Sequence, residues 1–228
     1  ETFSSSGTTG KDPVRVYRSP VDLAIMLNAN TDLFEHVYGD VLKQGEGVAL
    51  FMAAPELRYK LSFVAFVELT LDRKGIELLY GMDLEDKAQA GTPWQKLTTN
   101  KENLLKFLKS KKEPKLFFTA PAGVHILGQK FEGMGFGKKL AYKLASGAPP
   151  IKLGKGGIIV TGGGSKGFAD LPPYPQLVSN AQRHFVSKNV EGKQIDTPFM
   201  DVLGMTETLT ALIDRYGVMD KVPHPLAE

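Results

Sequence analysis

Small hydroxyl-bearing residues and glycines crowd the start of the chain. From position 4 to position 10 the sequence reads Ser-Ser-Ser-Gly-Thr-Thr-Gly, and Lys11 follows. Glycine permits positive-φ turns that point successive backbone N–H groups in one direction, and the lysine adds a positive charge. Such a segment can hold a polyphosphate through charge-assisted hydrogen bonds. The alternative is a flexible linker, because the same residue types are common in mobile chain ends.

The residues on either side of this segment predict that it joins two strands. Phe3 precedes it, and Pro13 prevents a helix from starting directly after it. Residues 14–17, Val-Arg-Val-Tyr, alternate between apolar and polar as a half-buried strand does. We therefore predict a phosphate loop at a strand–turn–strand corner. It is not a Walker A loop, because the G-x-x-x-x-G-K-[ST] spacing is absent and that loop opens a helix.

A second glycine-rich segment follows an apolar strand. Residues 157–161 predict the strand, and residues 162–167 then show the G-x-G-x-x-G spacing of a dinucleotide-binding turn. That turn needs a helix to begin at its end, and Pro172 and Pro173 prevent this. We therefore do not expect a Rossmann-type NAD site. In open α/β sheets ligands bind at the carboxyl ends of strands, so flat backbone here could border a planar base; the alternative is a tight turn.

A hydroxyl and a carboxylate follow a further predicted strand, residues 199–203. The next residues are Gly204, Met205, Thr206 and Glu207. A carboxylate beside a triphosphate is repelled unless a divalent cation lies between them, and Mg²⁺ is typically held by one or two carboxylates together with phosphate oxygens. This segment therefore predicts a Mg²⁺–nucleotide contact. In the alternative interpretation the threonine caps a helix over the next residues and the glutamate interacts with its dipole.

Taken in order, these three segments resemble those of the adenylate-forming (acyl/aryl ligase) superfamily. Its members have a Ser/Thr/Gly loop, a glycine cluster after a strand, and an aromatic-Gly-x-Thr-Glu segment. Leu203 stands here in the aromatic position. Residues 157–166, Gly-Ile-Ile-Val-Thr-Gly-Gly-Gly-Ser-Lys, are similar more narrowly to the long-chain fatty acyl-protein synthetases, the LuxE-type ligases associated with bacterial luciferase. Residues 1–7 and residues 221–223, Lys-Val-Pro, are similar to that family too.

The resemblance implies that ATP and a carboxylic acid, expected to be a fatty acid, react to give an acyl-adenylate and pyrophosphate. The family then passes the acyl group to a cysteine thiol. The residues implied to cradle the β- and γ-phosphates are Ser4, Ser5, Ser6, Gly7, Thr8, Thr9, Gly10 and Lys11. The residues implied to border the adenine and the acyl pocket are Gly162, Gly163 and Gly164. Thr206 would bind the α-phosphate and Glu207 the Mg²⁺, so these two and Lys11 are the implied catalytic residues.

Two other interpretations fit the same residues. A CoA ligase of the phenylacetate type shares the first half-reaction and uses a different thiol acceptor. A nucleotide-binding scaffold without catalysis could serve as the docking part of an acyl-reductase complex. The resemblance also implies an apolar acyl tunnel, for which the predicted helix over residues 122–127 and the strand Val48–Met52 are candidate walls.

Strands alternate with helical stretches along the chain, which predicts an α/β fold with mostly parallel sheets flanked by helices. The predicted strands are residues 14–17, 48–52, 76–80, 116–119, 157–161 and 199–203. The predicted helical stretches are residues 19–27, 32–43, 60–69, 100–111, 122–127, 175–186 and 208–216. By resemblance, residues 1–228 form the N-terminal core of an adenylate-forming enzyme, with two potential α/β subdomains near 1–150 and 151–228. The C-terminal domain with its catalytic lysine would follow residue 228, so we expect this chain to be incomplete for turnover.

The composition narrows the classes of partner. The 28 basic and 25 acidic residues leave a net charge of +3, which implies neither a nucleic-acid surface nor a membrane-surface helix. There is no cysteine, which excludes disulfides, thiolate metal sites and a cysteine acyl acceptor within this chain. No apolar run approaches the ~20 residues that span a bilayer. We therefore expect a cytoplasmic protein.

Overall fold

The structure is a computed structural model that describes residues 2–4, 15–38, 46–84, 97–133, 150–162, 171–204 and 211–216. The helices are α1 Pro20–Tyr38, a 3-10 helix Pro55–Tyr59, α2 Ser62–Arg73, α3 Lys101–Lys109, α4 Pro121–Glu132 and α5 Tyr174–Gln182. The first strands are β1 Thr2–Ser4, β2 Arg15–Tyr17, β3 Val48–Phe51, β4 Glu77–Tyr80, β5 Met82–Leu84, β6 Leu97–Thr99 and β7 Lys115–Thr119. The remaining strands are β8 Ile151–Lys155, β9 Ile158–Gly162, β10 Phe185–Lys188, β11 Gln194–Asp196, β12 Phe199–Gly204 and β13 Ala211–Tyr216.

A six-stranded sheet forms the centre of the molecule, in the order β13-β12-β9-β7-β3-β4. The five strands from β12 to β4 are parallel, and β13 pairs antiparallel with β12 at one edge. The predicted α/β fold with a mostly parallel sheet and flanking helices is therefore confirmed. The sheet takes strands from both sides of residue 150, so the two parts of the chain share one sheet.

The order of the strands reverses beside β3. The chain passes from β3 to β4 on one side, and then returns through β7, β9 and β12 on the other side. In a doubly wound sheet such a reversal lies beside the crevice where ligands bind, outside the carboxyl ends of the strands. The strand order therefore indicates the carboxyl edge of this sheet as the place where a ligand would bind.

Helices cover both faces of the sheet, which explains the continuous apolar runs of its strands. Along β3, Ala49 and Phe51 pack towards α1 and α2, whereas Val48 and Leu50 pack towards α3, α4 and α5. The helix residues on the first face are Phe34, Val64, Val67 and Leu71. Those on the second face are Phe107, Val124, Leu177, Val178 and Ala181. A strand that is buried on both faces does not alternate between apolar and polar residues. The strands predicted from the continuous apolar runs are confirmed.

The start of α1 follows from its first residues. The backbone N–H of Asp22 donates to the Ser19 hydroxyl at 3.1 Å, and the Ser19 N–H donates to the Asp22 carboxylate at 3.0 Å, as in a capping box. These bonds to Ser19 hold the pKa of Asp22 below its usual range. The predicted helix start is confirmed. The sequence also predicted two helical stretches here, whereas the structure has one continuous helix.

Two of the predicted helical stretches are partly wrong. Residues 211–216 form β13 and not part of a helix over 208–216, because they pair along their whole length with β12. The helix predicted over 175–186 ends at Gln182, and Phe185 begins β10. Strand β10 belongs to a second sheet, ordered β11-β10-β8, that the apolar pattern did not reveal. In both places pairing with a distant strand overrides the local helical preference.

Two short antiparallel pairs complete the fold: β1 pairs with β2, and β5 pairs with β6. A bilayer-spanning helix is absent from the part of the chain that the structure describes, since each helix there is too short or too polar.

Candidate functional site at the carboxyl edge of the sheet

The opening hydroxyl-rich segment is framed by the β1–β2 pair. Ser4 ends β1 and is paired with Arg15, which begins β2, and Phe3 is buried. The strands predicted on either side of the segment are therefore confirmed. The other residues predicted to hold phosphate lie outside the described residues: Ser5, Ser6, Gly7, Thr8, Thr9, Gly10 and Lys11.

The other two predicted segments leave the main sheet from neighbouring strands. Gly162 is the last residue of β9 and is paired with Val202 of β12, and β12 ends two residues later at Gly204. Neighbouring strands lie about 4.8 Å apart. Because the two strands are parallel, the segments that follow them begin at the same edge of the sheet. The residues predicted to form the site itself, Gly163, Gly164, Thr206 and Glu207, lie outside the described residues.

A hydrogen-bonded chain of three polar side chains lies close to the ends of β9 and β12. The Thr161 hydroxyl, which is completely buried, donates to the Asp201 carboxylate at 2.6 Å and lies 2.5 Å from the Tyr174 hydroxyl. A threonine hydroxyl carries one proton, and here that proton is directed to the carboxylate. The Tyr174 hydroxyl must therefore be the donor to Thr161. The chain runs from the first residue of α5, through β9, to β12.

Gly162 is held in a crowded place. A Cβ atom at this position would lie 3.0 Å from Cζ of Phe63 and 3.1 Å from the carbonyl oxygen of Val202. Phe63 lies near the start of α2 and packs edge-on against Phe51, with 6.0 Å between the ring centroids. The missing side chain of Gly162 thus makes room for an aromatic ring that connects the ends of β3 and β9. This accounts for glycine at position 162 by packing alone, and its predicted contact with a nucleotide stays a prediction.

A second polar network joins the 3-10 helix, α2 and the end of β4. Nη1 of Arg58 lies 2.7 Å from Glu68 Oε1, and the Tyr80 hydroxyl donates to the other carboxylate oxygen. Burial, followed by this hydrogen bond, raises the pKa of Tyr80. Tyr80 therefore stays protonated as a donor at any physiological pH, and Arg58 balances the charge of Glu68. The sequence did not predict this network, and its groups satisfy one another.

The expected walls of an acyl tunnel lie in the hydrophobic core. Every residue of β3 is buried between the two helical layers, and Val124 of α4 is buried with it. A cavity of about 30 Å³ between α4 and α5 is lined by Val124, His125 and His184 among others. That volume accommodates one or two water molecules and not an acyl chain. The acyl tunnel therefore stays a prediction.

Sequence reasoning missed the polar chain of Thr161, Tyr174 and Asp201. One signal was present: Asp201 is the only charged residue within the apolar run of residues 199–203. A carboxylate in a strand that is otherwise buried needs hydrogen-bond partners. Its partner Thr161 could not be read from the sequence, because their proximity depends on β9 and β12 being neighbours.

The donor chemistry of the edge suits a hard cation. Glu207 and Thr206 supply oxygen atoms, which Mg²⁺ prefers, and the chain has no thiolate to favour a softer metal. Within the described ranges, no three His, Asp or Glu side chains are grouped closely enough to hold a metal ion. The predicted Mg²⁺ site at Glu207 lies outside the described residues and stays a prediction.

Comparisons with other proteins do not assign this chain to a family: its sequence matches no protein-family model, and no curated protein matches it significantly.

Proposed function

We propose that this protein is the nucleotide-binding core of an ATP-dependent ligase that activates a carboxylic acid, with a fatty acid as the expected substrate. The observation that carries the proposal is the pairing of Gly162 with Val202. It supports a common origin at one sheet edge for the glycine cluster and the Thr-Glu segment, which lie about forty residues apart in the sequence. A single bound ATP molecule would require this arrangement.

Each segment has a distinct role in the proposal. The hydroxyl-rich segment from Ser4 to Gly10 binds the β- and γ-phosphates, with Lys11 supplying positive charge. Thr206 binds the α-phosphate, where the carboxylate attacks and pyrophosphate leaves. Catalysis consists of positioning these groups and stabilising the charge that develops at the α-phosphorus. Glu207 would hold Mg²⁺, whose charge neutralises that of the phosphates.

The acyl group is then passed to a thiol. With no cysteine in the chain, the acceptor lies elsewhere: a protein cysteine in the acyl-protein synthetase interpretation, or free CoA in the phenylacetate-type alternative. An acyl-reductase protein is a candidate partner in the first case. A cytoplasmic location, where ATP and both acceptors occur, is part of the proposal.

Carboxylate-dependent exchange of labelled pyrophosphate into ATP by the full-length protein tests the proposal. We expect exchange that requires Mg²⁺ and a long-chain fatty acid, with acetate and phenylacetate as comparison acids. Tight ATP binding without exchange under any of these acids would favour the scaffold interpretation. Absence of ATP binding in calorimetric titrations would refute both. Adding CoA or a cysteine-containing partner after activation then identifies the acceptor by the thioester that forms.

A further inference from the structure

The first half of α1 and the strand before it expose three large apolar side chains. Val21 and Ile25, which are one helical turn apart, are 66% and 59% exposed, and Tyr17 at the end of β2 is 76% exposed. We call Tyr17, Val21 and Ile25 the α1 patch. Single exposed apolar residues are common on protein surfaces, whereas contiguous ones are typical of an interaction surface.

The composition of this half of α1 also indicates that its outer side is covered. Residues 20–30 are mostly apolar, and none of these residues, all of which the structure describes, is buried. In the second half of the helix, Thr31 and Phe34 are buried. A helix at the surface of a protein normally has a polar outer face, whereas a helix that is apolar on all sides is normally buried.

The two ends of the patch carry opposite charge. Arg15, which is exposed, precedes the helix, and the helix N-terminus adds the positive end of its dipole. Asp22 is the one acidic residue among residues 15–25, and its carboxylate accepts hydrogen bonds from the N–H and the hydroxyl of Ser19 at 3.0 Å and 2.8 Å. The end of the patch that precedes α1 is therefore basic.

The acidic end lies further along the same face of α1. Asp32 is exposed and comes seven residues, or two turns, after Ile25, which places it about 10 Å along the helix axis. A surface with an apolar centre, a basic end and an acidic end is complementary to an inverted copy of itself. Such self-complementarity is the property of an interface with twofold symmetry.

A lipid surface fits these residues less well. Helices that lie on membranes are rich in lysine and arginine, which bind anionic lipids. Residues 20–38 contain neither, and they include Asp22, Asp32 and Glu35. The charge of α1 therefore favours a protein partner.

We propose that the α1 patch is the contact between two copies of this chain, with their α1 helices antiparallel about a twofold axis near Ile25. Val21 of each copy then lies beside Ala29 of the other, and the basic end of each patch lies beside Asp32 of the other. Parallel helices would bring like charges together. This inference goes beyond the proposed function and does not depend on it.

The association state of the full-length protein tests the inference, measured by sedimentation equilibrium over a range of protein concentrations. We expect a dimer whose dissociation constant rises at least about thirtyfold in Ile25→Asp, because a charge enters the centre of the interface twice. The matched control is Val190→Asp, since Val190 is 60% exposed in the turn between β10 and β11. This control should dimerise as the wild type does. Urea midpoints close to that of the wild type would show that both variants are folded.

An exchange of charges tests the antiparallel arrangement. Arg15→Asp and Asp32→Arg should each weaken the dimer about three- to tenfold, as expected for exposed ion pairs that occur twice in the interface. The double variant restores opposite charges across the twofold axis and should dimerise nearly as well as the wild type. A double variant that dimerises no better than the single variants would overturn the arrangement.

Three other outcomes would overturn the inference. One is a dimer that Ile25→Asp leaves unchanged, because its interface would lie elsewhere. Another is a monomer in which Tyr17 is protected from hydroxyl-radical labelling, since another part of the same protein would then cover the patch. The third is a monomer that sediments with vesicles of anionic lipid and loses this property in Ile25→Asp.

Discussion

The two edges of the main sheet use polar residues differently. At the amino edge, Glu77 begins β4 and forms ion pairs with Lys106 at 2.7 Å and with Lys112 at 2.8 Å. Lys115 begins β7, and its ammonium donates to the carbonyl of Leu108 in the last turn of α3 at 3.0 Å. These contacts attach α3 and the residues after it to the sheet, and none of them is near a glycine-rich exit from a strand.

At the carboxyl edge, the polar residues converge on the exits from the strands. Thr161 and Asp201 each lie within three residues of the glycine that ends their strand, and Tyr174 joins them from α5. The contrast leads us to a hypothesis: polar groups at the amino edge contribute stability, and those at the carboxyl edge lie where the proposed ligand site would be. It agrees with the general location of ligands in open α/β sheets.

The largest effect expected at the carboxyl edge comes from Glu207→Gln. Loss of the carboxylate charge removes the proposed Mg²⁺ ligand, so the Mg²⁺ dependence of ATP binding should disappear in calorimetric titrations. Pyrophosphate exchange should fall by about a hundredfold, the scale on which a single electrostatic contact to a transition state acts. Little change in the unfolding midpoint is expected, because the proposed role is in ligand binding.

Glu191→Gln is the matched control for this prediction. Glu191 is exposed in the turn between β10 and β11, away from the carboxyl edge of the main sheet. The same change of charge there should leave both ATP binding and its Mg²⁺ dependence unaltered. If the Glu207→Gln protein keeps the wild-type Mg²⁺ dependence of ATP binding, Glu207 is not the metal ligand. The proposed contrast between the two edges would then lose its strongest support.

Gly162→Ala separates packing from ligand binding at the same edge. The added Cβ would lie 3.0 Å from the Phe63 ring and 3.1 Å from the Val202 carbonyl, so one of them must shift. We expect a loss of about 1–3 kcal/mol in the free energy of unfolding, measured by urea denaturation. The control is Gly128→Ala in the middle of α4, where the nearest atom, in His184, is 3.6 Å away.

That control should stabilise the protein by about 0.5–1 kcal/mol, because alanine is favoured over glycine inside a helix. If Gly162→Ala is as stable as the wild type but binds ATP more weakly, the glycine is retained for the ligand and not for Phe63. If its stability falls while its ATP affinity is kept, Gly162 belongs to the core.

The buried strands of the main sheet could be predicted because both of their faces are apolar. The runs at Val48–Phe51 and Ile158–Gly162 need no knowledge of their neighbours, since any strand in the middle of such a sheet has this pattern. The helix start at Ser19 was also predictable, because its capping bonds are local in sequence. Elements that are defined by local hydrogen bonds or by burial on both faces can thus be predicted from the sequence.

Strand order and the edge strand could not be predicted in the same way. Residues 211–216, Ala-Leu-Ile-Asp-Arg-Tyr, are compatible with a helix, and they form a strand because β12 offers an unpaired side. Thr161 and Asp201 are forty positions apart, so their contact depends entirely on β9 lying beside β12. For the same reason, the polar chain of Thr161, Tyr174 and Asp201 could not be predicted from the sequence. The glycine-rich segment and the Thr-Glu segment could be recognised there, because each is a local pattern.

The smallest effect expected is at the amino edge, from Glu77→Gln. Hydrogen bonds from Lys106 and then Lys112 lower the pKa of the Glu77 carboxyl from its ordinary value of 4.5. A carboxyl whose pKa is lower in the folded state stabilises the protein above its unfolded-state pKa, and this contribution is lost as the pH falls through the folded-state pKa. At pH 7 the substitution should therefore cost less than about 1 kcal/mol, because the lysines are largely exposed.

The difference between Glu77→Gln and the wild type should then shrink below pH 4.5 and also in high salt, which screens exposed charges. Urea denaturation of both proteins at a series of pH values measures this difference. ATP affinity should be unchanged in Glu77→Gln, since the ion pairs lie at the edge opposite the strand exits. A loss of ATP affinity in Glu77→Gln would mean that the amino edge also acts on the ligand, and the hypothesis that the two edges differ in this way would be wrong.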